Sequence, residues 1–296
     1  MNAVITMMSV LFSVLIPQRT WIGPSQPVTV QINSDKDVTL ALTDFAGKTV
    51  AAKNSADVSA GQSADLKTIF PAVATPGTYV LYAMPKGSTA SAAGTPKDFL
   101  GTPIVVEVLA AKFAQDGSAM VTHLVPLQYA VMTTDAGEMT MVFYYDSAPH
   151  TVQNFLELCS GGYYDGVIFH RVVPGFVIQG GDPTATGMGG PGYMVTAEFN
   201  ARPHEQGVLS MARSQDPNSA GSQFFICLDY AQTQRLDHQY TAFGKVLKGI
   251  ETVNKIAGAK LVDAQSGKPQ TPTTITKVQV LPVTSGDNPY AEMMKQ

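Results

Sequence analysis

The stretch IFHRVVPGFVIQGGD, residues 168–182, combines a long apolar run with an arginine, a histidine and a glutamine. Arg171 lies between the apolar residues Phe169 and Val172. A charged side chain among such neighbours either extends its head into solvent or is a partly desolvated guanidinium held for a purpose. The segments that accompany this stretch decide between the two interpretations.

The composition indicates a folded protein without nucleic-acid-binding character. The chain has 296 residues, of which 45% are hydrophobic and 14% are charged. This is enough apolar material for packed cores, and the length favours two domains over one. The net charge of −4 provides no basic surface for a phosphate backbone. Cys159, Cys227 and the five histidines lack metal-ligand spacing, so we expect two buried thiols, no metal and no cofactor.

The N-terminus begins with an apolar run from Ala3 to Ile16 that ends at Pro17. The run is shorter than a membrane-spanning helix and fits the apolar region of a secretory signal. We therefore predict an export segment over residues 1–20, a periplasmic or envelope location, and no stable membrane span in the mature chain. No basic segment or clear cleavage site accompanies the run. The alternative is a buried first strand or helix in a cytoplasmic protein.

Residues 24–112 show the period-2 alternation of short β-strands. In QPVTVQIN, residues 26–33, Val28, Val30 and Ile32 alternate with polar residues, and later segments repeat the pattern. Such alternation indicates strands with one buried and one solvated face. Because turn-forming sequences separate the strands, we predict a small immunoglobulin-like β-sandwich. Its acidic residues are isolated, which favours a docking or spacing role over catalysis.

A second domain is predicted over residues 124–284, after a linker of residues 111–126. PHTVQNFLELCSGG (149–162) and KGIETVNKIAG (248–258) show helical spacing of apolar residues. The first begins with a proline, which suits a first helical turn, and ends with two glycines. Between the two helices lie mostly strands and glycine-rich loops. Residues 285–296 are predicted to form a flexible tail.

Two further segments, residues 207–228 and 235–246, add glutamine and bulky apolar or aromatic side chains to the set around Arg171. These are Gln223, Phe224, Phe225, Leu236 and Tyr240. One arginine, two glutamines and several aromatic rings without a nucleophile indicate a site that holds an apolar group beside one positive donor. Such a site is not hydrolytic.

The segments FHRVVPGFVIQGGD, LSMAR…SAGSQFFI and LD…YTAFG resemble, in order, the signatures of the cyclophilin family of peptidyl-prolyl cis–trans isomerases. The resemblance covers about residues 127–283 and leaves the N-terminal domain out. It implies a mainly β chain whose second domain is a closed antiparallel β-barrel capped by two helices. It also implies a site on the outer face of that barrel.

The resemblance assigns roles to the matching residues of this chain. Arg171 and Gln179 are the implied catalytic residues. The implied proline pocket and peptide groove comprise Phe176, Val177, Ala212, Arg213, Gln223, Phe225, Leu236 and Tyr240. Val177 stands where many members have methionine, and Tyr240 replaces a common histidine. His170 is expected to be a packed histidine rather than a catalytic base.

We therefore predict a monomeric isomerase that accelerates rotation about X–Pro bonds of proline-containing peptides and unfolded protein clients during folding. The alternatives are a proline-peptide binding module and an envelope scaffold, each with incidental isomerase activity. One departure from the family bears on inhibition. Arg235 stands where many cyclophilins carry a tryptophan whose indole contacts cyclosporin, so weak cyclosporin binding is expected.

Overall fold

The computed structural model describes residues 13–50, 54–88, 96–110 and 120–293. The described residues form two compact units. The first contains the residues up to Gln128 together with those from Pro282 onward, and the second is Tyr129–Leu281. These limits differ from the predicted domains of 24–112 and 124–284, because the chain on both sides of the second unit belongs to the first.

The first unit contains two antiparallel sheets. One has the strand order β1-β3-β6 and the other the order β2-β9-β8-β7-β4-β5. The elements are β1 (Leu15–Pro17), β2 (Trp21–Ile22), β3 (Thr29–Ile32), β4 (Val38–Asp44), β5 (Ser55–Val58), β6 (Ser63–Asp65), helix α1 (Leu66–Ile69), β7 (Gly77–Pro85), β8 (Leu100–Ala110) and β9 (Met120–Pro126). Val30 and Ile32 from the small sheet share one apolar core with Leu40, Leu81 and Val106 from the large one. The predicted antiparallel sheets are thus present, and the immunoglobulin-like type stays a prediction.

Burial along the strands follows the predicted alternation in β3 but not in β4. In β3, Val30 and Ile32 are buried while their polar neighbours are half-buried. In β4, residues 38–43 are all buried, so the expectation of one solvated face is wrong there. One contributor is a pair of buried aromatic rings beside Ala41 on the second face. Tyr82, the cross-strand partner of Ala41 in β4, contacts Phe99 edge-on with ring centroids 5.4 Å apart.

Part of the predicted linker is a strand. Residues 111–119 lie outside the described residues, but β9 pairs with β8 along its whole length. Sequence reasoning missed this strand, which carries a histidine, a residue type of only intermediate burial. His123 Nδ1 lies 2.7 Å from Glu107 Oε2 of β8, and both side chains are buried. Pairing of the two polar groups is what permits their burial.

The N-terminal apolar run is described only at its end. Residues 3–12 lie outside the described residues, whereas β1 pairs antiparallel with β3. Leu15 is buried in the shared core. The described end of the run is therefore a buried strand, as the alternative interpretation of the run predicted. Within the described ranges, no helix is long and apolar enough to cross a membrane.

The second unit is built on one antiparallel sheet of eight strands in the order β12-β13-β15-β14-β16-β11-β10-β17. They are β10 (Gln128–Thr134), β11 (Gly137–Phe143), β12 (Arg171–Val173), β13 (Val177–Gly180), β14 (Val208–Met211), β15 (Phe224–Cys227), β16 (Ala242–Lys248) and β17 (Ile275–Pro282). The prediction of a closed barrel is wrong, because the sheet is an open half-barrel. Its edge strands β12 and β17 form no ladder, and only an isolated bridge joins Ile168 to Thr274. β12 ends after three residues at Pro174, which has no backbone N–H to extend pairing.

The two predicted helices are present. They are α2 (Pro149–Ser160) and, after the short helix α3 (Tyr230–Thr233), α4 (Ile250–Ala257). α2 buries Phe155, whose ring contacts four aromatic rings of the same core: Phe143, Tyr164, Phe224 and Phe243. Because side chains alternate along a strand, fixing Phe224 inward points Phe225 to the outer face of the sheet. Cys159 and Cys227 are free and buried.

The structure describes the C-terminal segment as far as residue 293. Helix α5 (Tyr290–Met293) follows a turn, and Tyr290 is buried. Its hydroxyl donates to the carbonyl oxygen of Gln128 at 2.7 Å, and its ring contacts Phe45 edge-on. The predicted flexible tail, residues 285–296, is therefore anchored to the first unit over its described part.

Candidate active site

The stretch that opened the sequence analysis folds into the hairpin β12–β13. Its turn passes through Gly175 at φ 71°, a left-handed conformation that glycine adopts without steric cost. Arg171 and Gln179 are direct cross-strand partners, and Arg171 Nη1 donates to Gln179 Oε1 at 3.3 Å. Val172 is buried on the opposite face. The guanidinium is thus held on the outer face of the sheet, half-buried and near a neutral acceptor.

One row of cross-strand partners organises the site. Arg171 pairs with Gln179, Gln179 with Phe225, and Phe225 with Ser210. Directly opposite residues project from the same face of a sheet, so these four side chains share the outer face. A register slip of one residue would turn every member of the row into the core. The pairing of β12, β13, β15 and β14 therefore sets the position of each side chain.

A cavity of about 150 Å³ opens beside Arg171. Nine of the ten residues predicted for the site line it: Arg171, Phe176, Val177, Gln179, Ala212, Arg213, Phe225, Leu236 and Tyr240. Three of the apolar lining residues are buried: Val177, Phe225 and Leu236. A cavity of this volume accommodates a ring the size of benzene, so a pyrrolidine ring fits. The tenth predicted residue, Gln223, is not part of the lining.

Gln223 instead supports the residues that line the cavity. Gln179 Nε2 donates to Gln223 Oε1 at 3.0 Å. Gln223 Nε2 in turn donates to the carbonyl oxygens of Gly187 at 3.0 Å and Gly189 at 2.9 Å. Because the Gln179 amide donor is engaged in this way, its oxygen faces Arg171. The chain of amides orients the guanidinium without neutralising its charge.

The chain matches the family model described as cyclophilin type peptidyl-prolyl cis-trans isomerase over residues 129–280, which lie wholly within the second unit. The chain belongs to the cyclophilin family. It is therefore a peptidyl-prolyl cis–trans isomerase.

Individual relatives match about half of the chain. The chain is 43% identical over 141 residues to a peptidyl-prolyl cis-trans isomerase of Synechococcus elongatus, covering 95% of that protein and 45% of this chain. It is 45% identical over 155 residues to an isomerase of Schizosaccharomyces pombe, covering 97% of that protein and 51% of this chain. A crystal structure of a Cryptosporidium parvum cyclophilin type isomerase is 34% identical, covers 53% of this chain and 99% of its own, and has a TM-score of 0.49.

A buried polar network behind the cavity of this cyclophilin was missed by the sequence analysis. The His204 ring stacks 6.2 Å from Phe225 between centroids. Its Nε2 is 3.0 Å from Ser210 Oγ and its Nδ1 is 2.9 Å from Asp237 Oδ1. Burial lowers the pKa of His204, although the hydrogen bond to Asp237 opposes the shift. The sequence feature that could have indicated this network is Asp237, a carboxylate directly after the predicted pocket residue Leu236.

The Ser210–His204–Asp237 set has the residue types of a hydrolytic triad but not its exposure. Ser210 and His204 are both 0% exposed, so no ligand in the cavity can reach the serine hydroxyl. The set instead joins β14 to the loop that carries Leu236. The same hydrogen-bonded network therefore supports two apolar walls of the cavity, Phe225 and Leu236.

His170 is packed next to Arg171, and its ring has no polar partner. Both ring nitrogens are buried and form no hydrogen bond. Burial lowers the pKa of His170, which favours the neutral imidazole. The cyclophilin cavity does not include His170 in its lining.

Two further arginines lie at the rim of the cavity. The Arg213 guanidinium carbon is 4.5 Å from the centroid of Tyr240, and that of Arg235 is 4.4 Å from the centroid of Phe176. Both distances fit cation–π contacts. Arg235, at the position where a tryptophan was expected from the resemblance, thus places a cation over the Phe176 wall of the pocket.

Proposed function

We propose that this isomerase acts on X–Pro bonds in unfolded client proteins, and that Arg171 lowers the rotation barrier by stabilising the twisted amide. Rotation is slow because the nitrogen lone pair is delocalised into the carbonyl, which creates a barrier of about 18–20 kcal/mol. The cis and trans forms of X–Pro are close in energy, yet exchange takes about tens to hundreds of seconds. Folding chains therefore gain from a catalyst of this step.

In the twisted state the lone pair is localised on the proline nitrogen, which becomes a hydrogen-bond acceptor. A guanidinium placed there binds the twisted state better than either planar state, and this difference lowers the barrier. Each ~1.4 kcal/mol of the difference is worth about tenfold in rate. No proton has to be transferred and no covalent bond has to form.

The single observation that carries the proposal is the position of Arg171 beside the apolar walls of the cavity. Val177, Phe225 and Leu236 provide walls for the pyrrolidine ring, so the ring is held while the preceding residue turns. The nine lining residues include no aspartate, glutamate, cysteine, serine, threonine or histidine. The lining thus suits rotation about a bond rather than cleavage.

A binding module for proline peptides would need the same cavity but not an oriented guanidinium. Arg171 is aimed by the Gln179–Gln223 chain of amides, and this favours turnover over capture alone. The distinguishing experiment is a protease-coupled assay on a proline tetrapeptide with the full chain. A first-order rate that rises in proportion to protein concentration supports the isomerase. Saturable binding without acceleration supports the module.

We also propose an extracytoplasmic location. The support is the largely apolar run from Ala3 to Ile16, which contains no charged residue and is ended by Pro17. N-terminal sequencing of protein from fractionated cells is expected to give an exported chain that starts before Gln26. An intact Met1 on soluble cytoplasmic protein would contradict export. In that case the whole apolar run would stay in the protein, including Leu15 in the strand that pairs with β3.

A further inference from the structure

Three arginines surround the proline cavity. Arg171 and Arg213 belong to its lining, and Arg235 lies over Phe176, which is also part of the lining. The whole chain has 19 lysines and arginines against 23 aspartates and glutamates, so its net charge is negative. The positive charge at the cavity is therefore a local feature of this face and not a property of the whole chain.

No carboxylate forms an ion pair with any of the three arginines across the part of the chain that the structure describes. The ion pairs there involve other cations, namely Lys86, His123, Arg202, His204 and Lys245. Arg171 donates to the side-chain oxygen of Gln179. Arg213 donates to backbone carbonyl oxygens, including that of Gln239 at 3.1 Å. All of these acceptors are neutral, so the charges remain available to a ligand.

Nearby carboxylates already have their own partners. Asp237, two residues after Arg235, accepts hydrogen bonds at one oxygen from the His204 backbone and at the other from Tyr230. Asp182 accepts hydrogen bonds from Thr184 and from the loop amides that follow it. Neither carboxylate forms an ion pair with an arginine of the rim.

We propose that this isomerase prefers X–Pro segments flanked by acidic side chains. The preference rests on the proposed function, because it concerns the peptide that occupies the same cavity. With a proline ring in the cavity, flanking side chains pass the rim where Arg213 and Arg235 lie. A carboxylate there meets a positive potential and a lysine meets like charge. Stacking on Tyr240 and Phe176 restrains both guanidinium groups before a peptide binds, which reduces the ordering cost.

The test uses three hexapeptides with a central Ala-Pro whose two flanking residues are both Glu, both Gln or both Lys. Exchange NMR on the proline resonances measures kcat/KM without a coupling protease and therefore without a second sequence preference. One exposed ion pair is expected to change kcat/KM by about 1.5- to 5-fold. The Glu peptide makes two such attractions, and the Lys peptide meets two repulsions at the same places. We therefore expect the ratio of kcat/KM for the Glu peptide to that for the Lys peptide to be about tenfold. The Debye length falls from about 30 Å at 0.01 M salt to about 3 Å at 1 M. The ratio is therefore expected to fall below about twofold at 1 M.

Single variants assign the preference to residues. Arg213→Gln and Arg235→Gln are each expected to lower the Glu-to-Lys ratio by about threefold. Lys277→Gln removes the same charge from β17, which contributes no residue to the cavity, and should retain the ratio of the unmodified chain. The Gln peptide is the reference for each variant, so the readout is a ratio and not an absolute rate.

The outcomes separate specificity from catalysis. Equal turnover of the Glu and Lys peptides at 0.01 M salt, with the Gln peptide turned over, would overturn the acidic preference and leave the proposed function intact. A ratio that both arginine variants retain would also overturn it. If the protein accelerates cis–trans exchange in none of the three peptides, the proposed function is contradicted. Chemical shifts in the same spectra then still show whether the Glu peptide binds more tightly than the Lys peptide.

Discussion

Replacing Arg171 with alanine is expected to lower kcat/KM on an X–Pro peptide by at least about a hundredfold. Removing one preorganised donor aimed at developing charge typically costs about 10²–10³ in rate, or about 2.7–4 kcal/mol. Arg171 has one hydrogen bond within the site, at 3.3 Å to Gln179, so its remaining donors are available to the amide nitrogen. The loss should appear mainly in kcat, because the interaction is made only in the twisted state.

The same substitution should leave the fold intact. Arg171 is half-buried on the outer face, forms no ion pair, and is not part of the aromatic core around Phe155. The expected change in the free energy of unfolding is within about 1 kcal/mol. Arg171→Lys should lose activity as well, because an ammonium lacks the planar arrangement of donors.

The assay compares these variants with Arg202→Ala, which removes an arginine of the same unit that pairs with Asp146 at 2.7 Å and does not line the cavity. Initial rates are measured over a range of peptide concentrations, and urea unfolding gives the stability of each variant. Near-wild-type kcat/KM for Arg171→Ala, in a variant shown to be folded, would refute the mechanism. A hundredfold loss in Arg202→Ala as well would show that the assay reports general damage.

Three further predictions concern the unit's autonomy, its inhibition and its response to pH. Residues 124–284 expressed alone should fold and isomerise, because β10 to β17 pair within that segment; an insoluble or inactive fragment beside an active full chain would show co-dependence. Cyclosporin should inhibit the protein at least tens-fold more weakly than tryptophan-bearing relatives, since an indole contact is worth about 2 kcal/mol or more. Arg235→Trp should restore affinity, and tight inhibition of the unmodified chain would count against this reading. Because burial lowers the pKa of His204, the unfolded chain binds its proton more strongly, so the free energy of unfolding should fall as pH drops below about 6.5. Urea titrations at two pH values should show a smaller decrease in His204→Gln, and an unchanged decrease would contradict this origin.

The sequence predicted the parts of this protein that depend on local pattern. The helical spacing in residues 149–162 and 248–258 corresponds to α2 and α4, because an apolar stripe at that period is buried against a sheet. The alternation in residues 26–33 corresponds to β3. The three motifs correspond to strands that pair side by side, which explains why Arg171 and Phe225, 54 positions apart, share one face.

The features that sequence reasoning missed depend on contacts between distant segments. Closure of the barrel depends on whether β12 meets β17, and no local pattern encodes that pairing. Burial of His123 depends on Glu107 in the neighbouring strand. Likewise, the stacking of Arg235 on Phe176 joins two motifs that are 59 positions apart. In each case one residue's environment is set by a partner that the sequence does not identify.

The most direct test of the central claim is exchange NMR on an Ala-Pro peptide mixed with a catalytic amount of the full chain. Cross-peaks between the cis and trans proline resonances should appear on a timescale of a second or less, while the cis-to-trans ratio of the free peptide stays unchanged. Arg171→Ala should still perturb the peptide resonances on binding but give no cross-peaks. Binding by the unmodified chain without exchange cross-peaks would show that the cavity captures proline without catalysing its rotation, and would contradict the account.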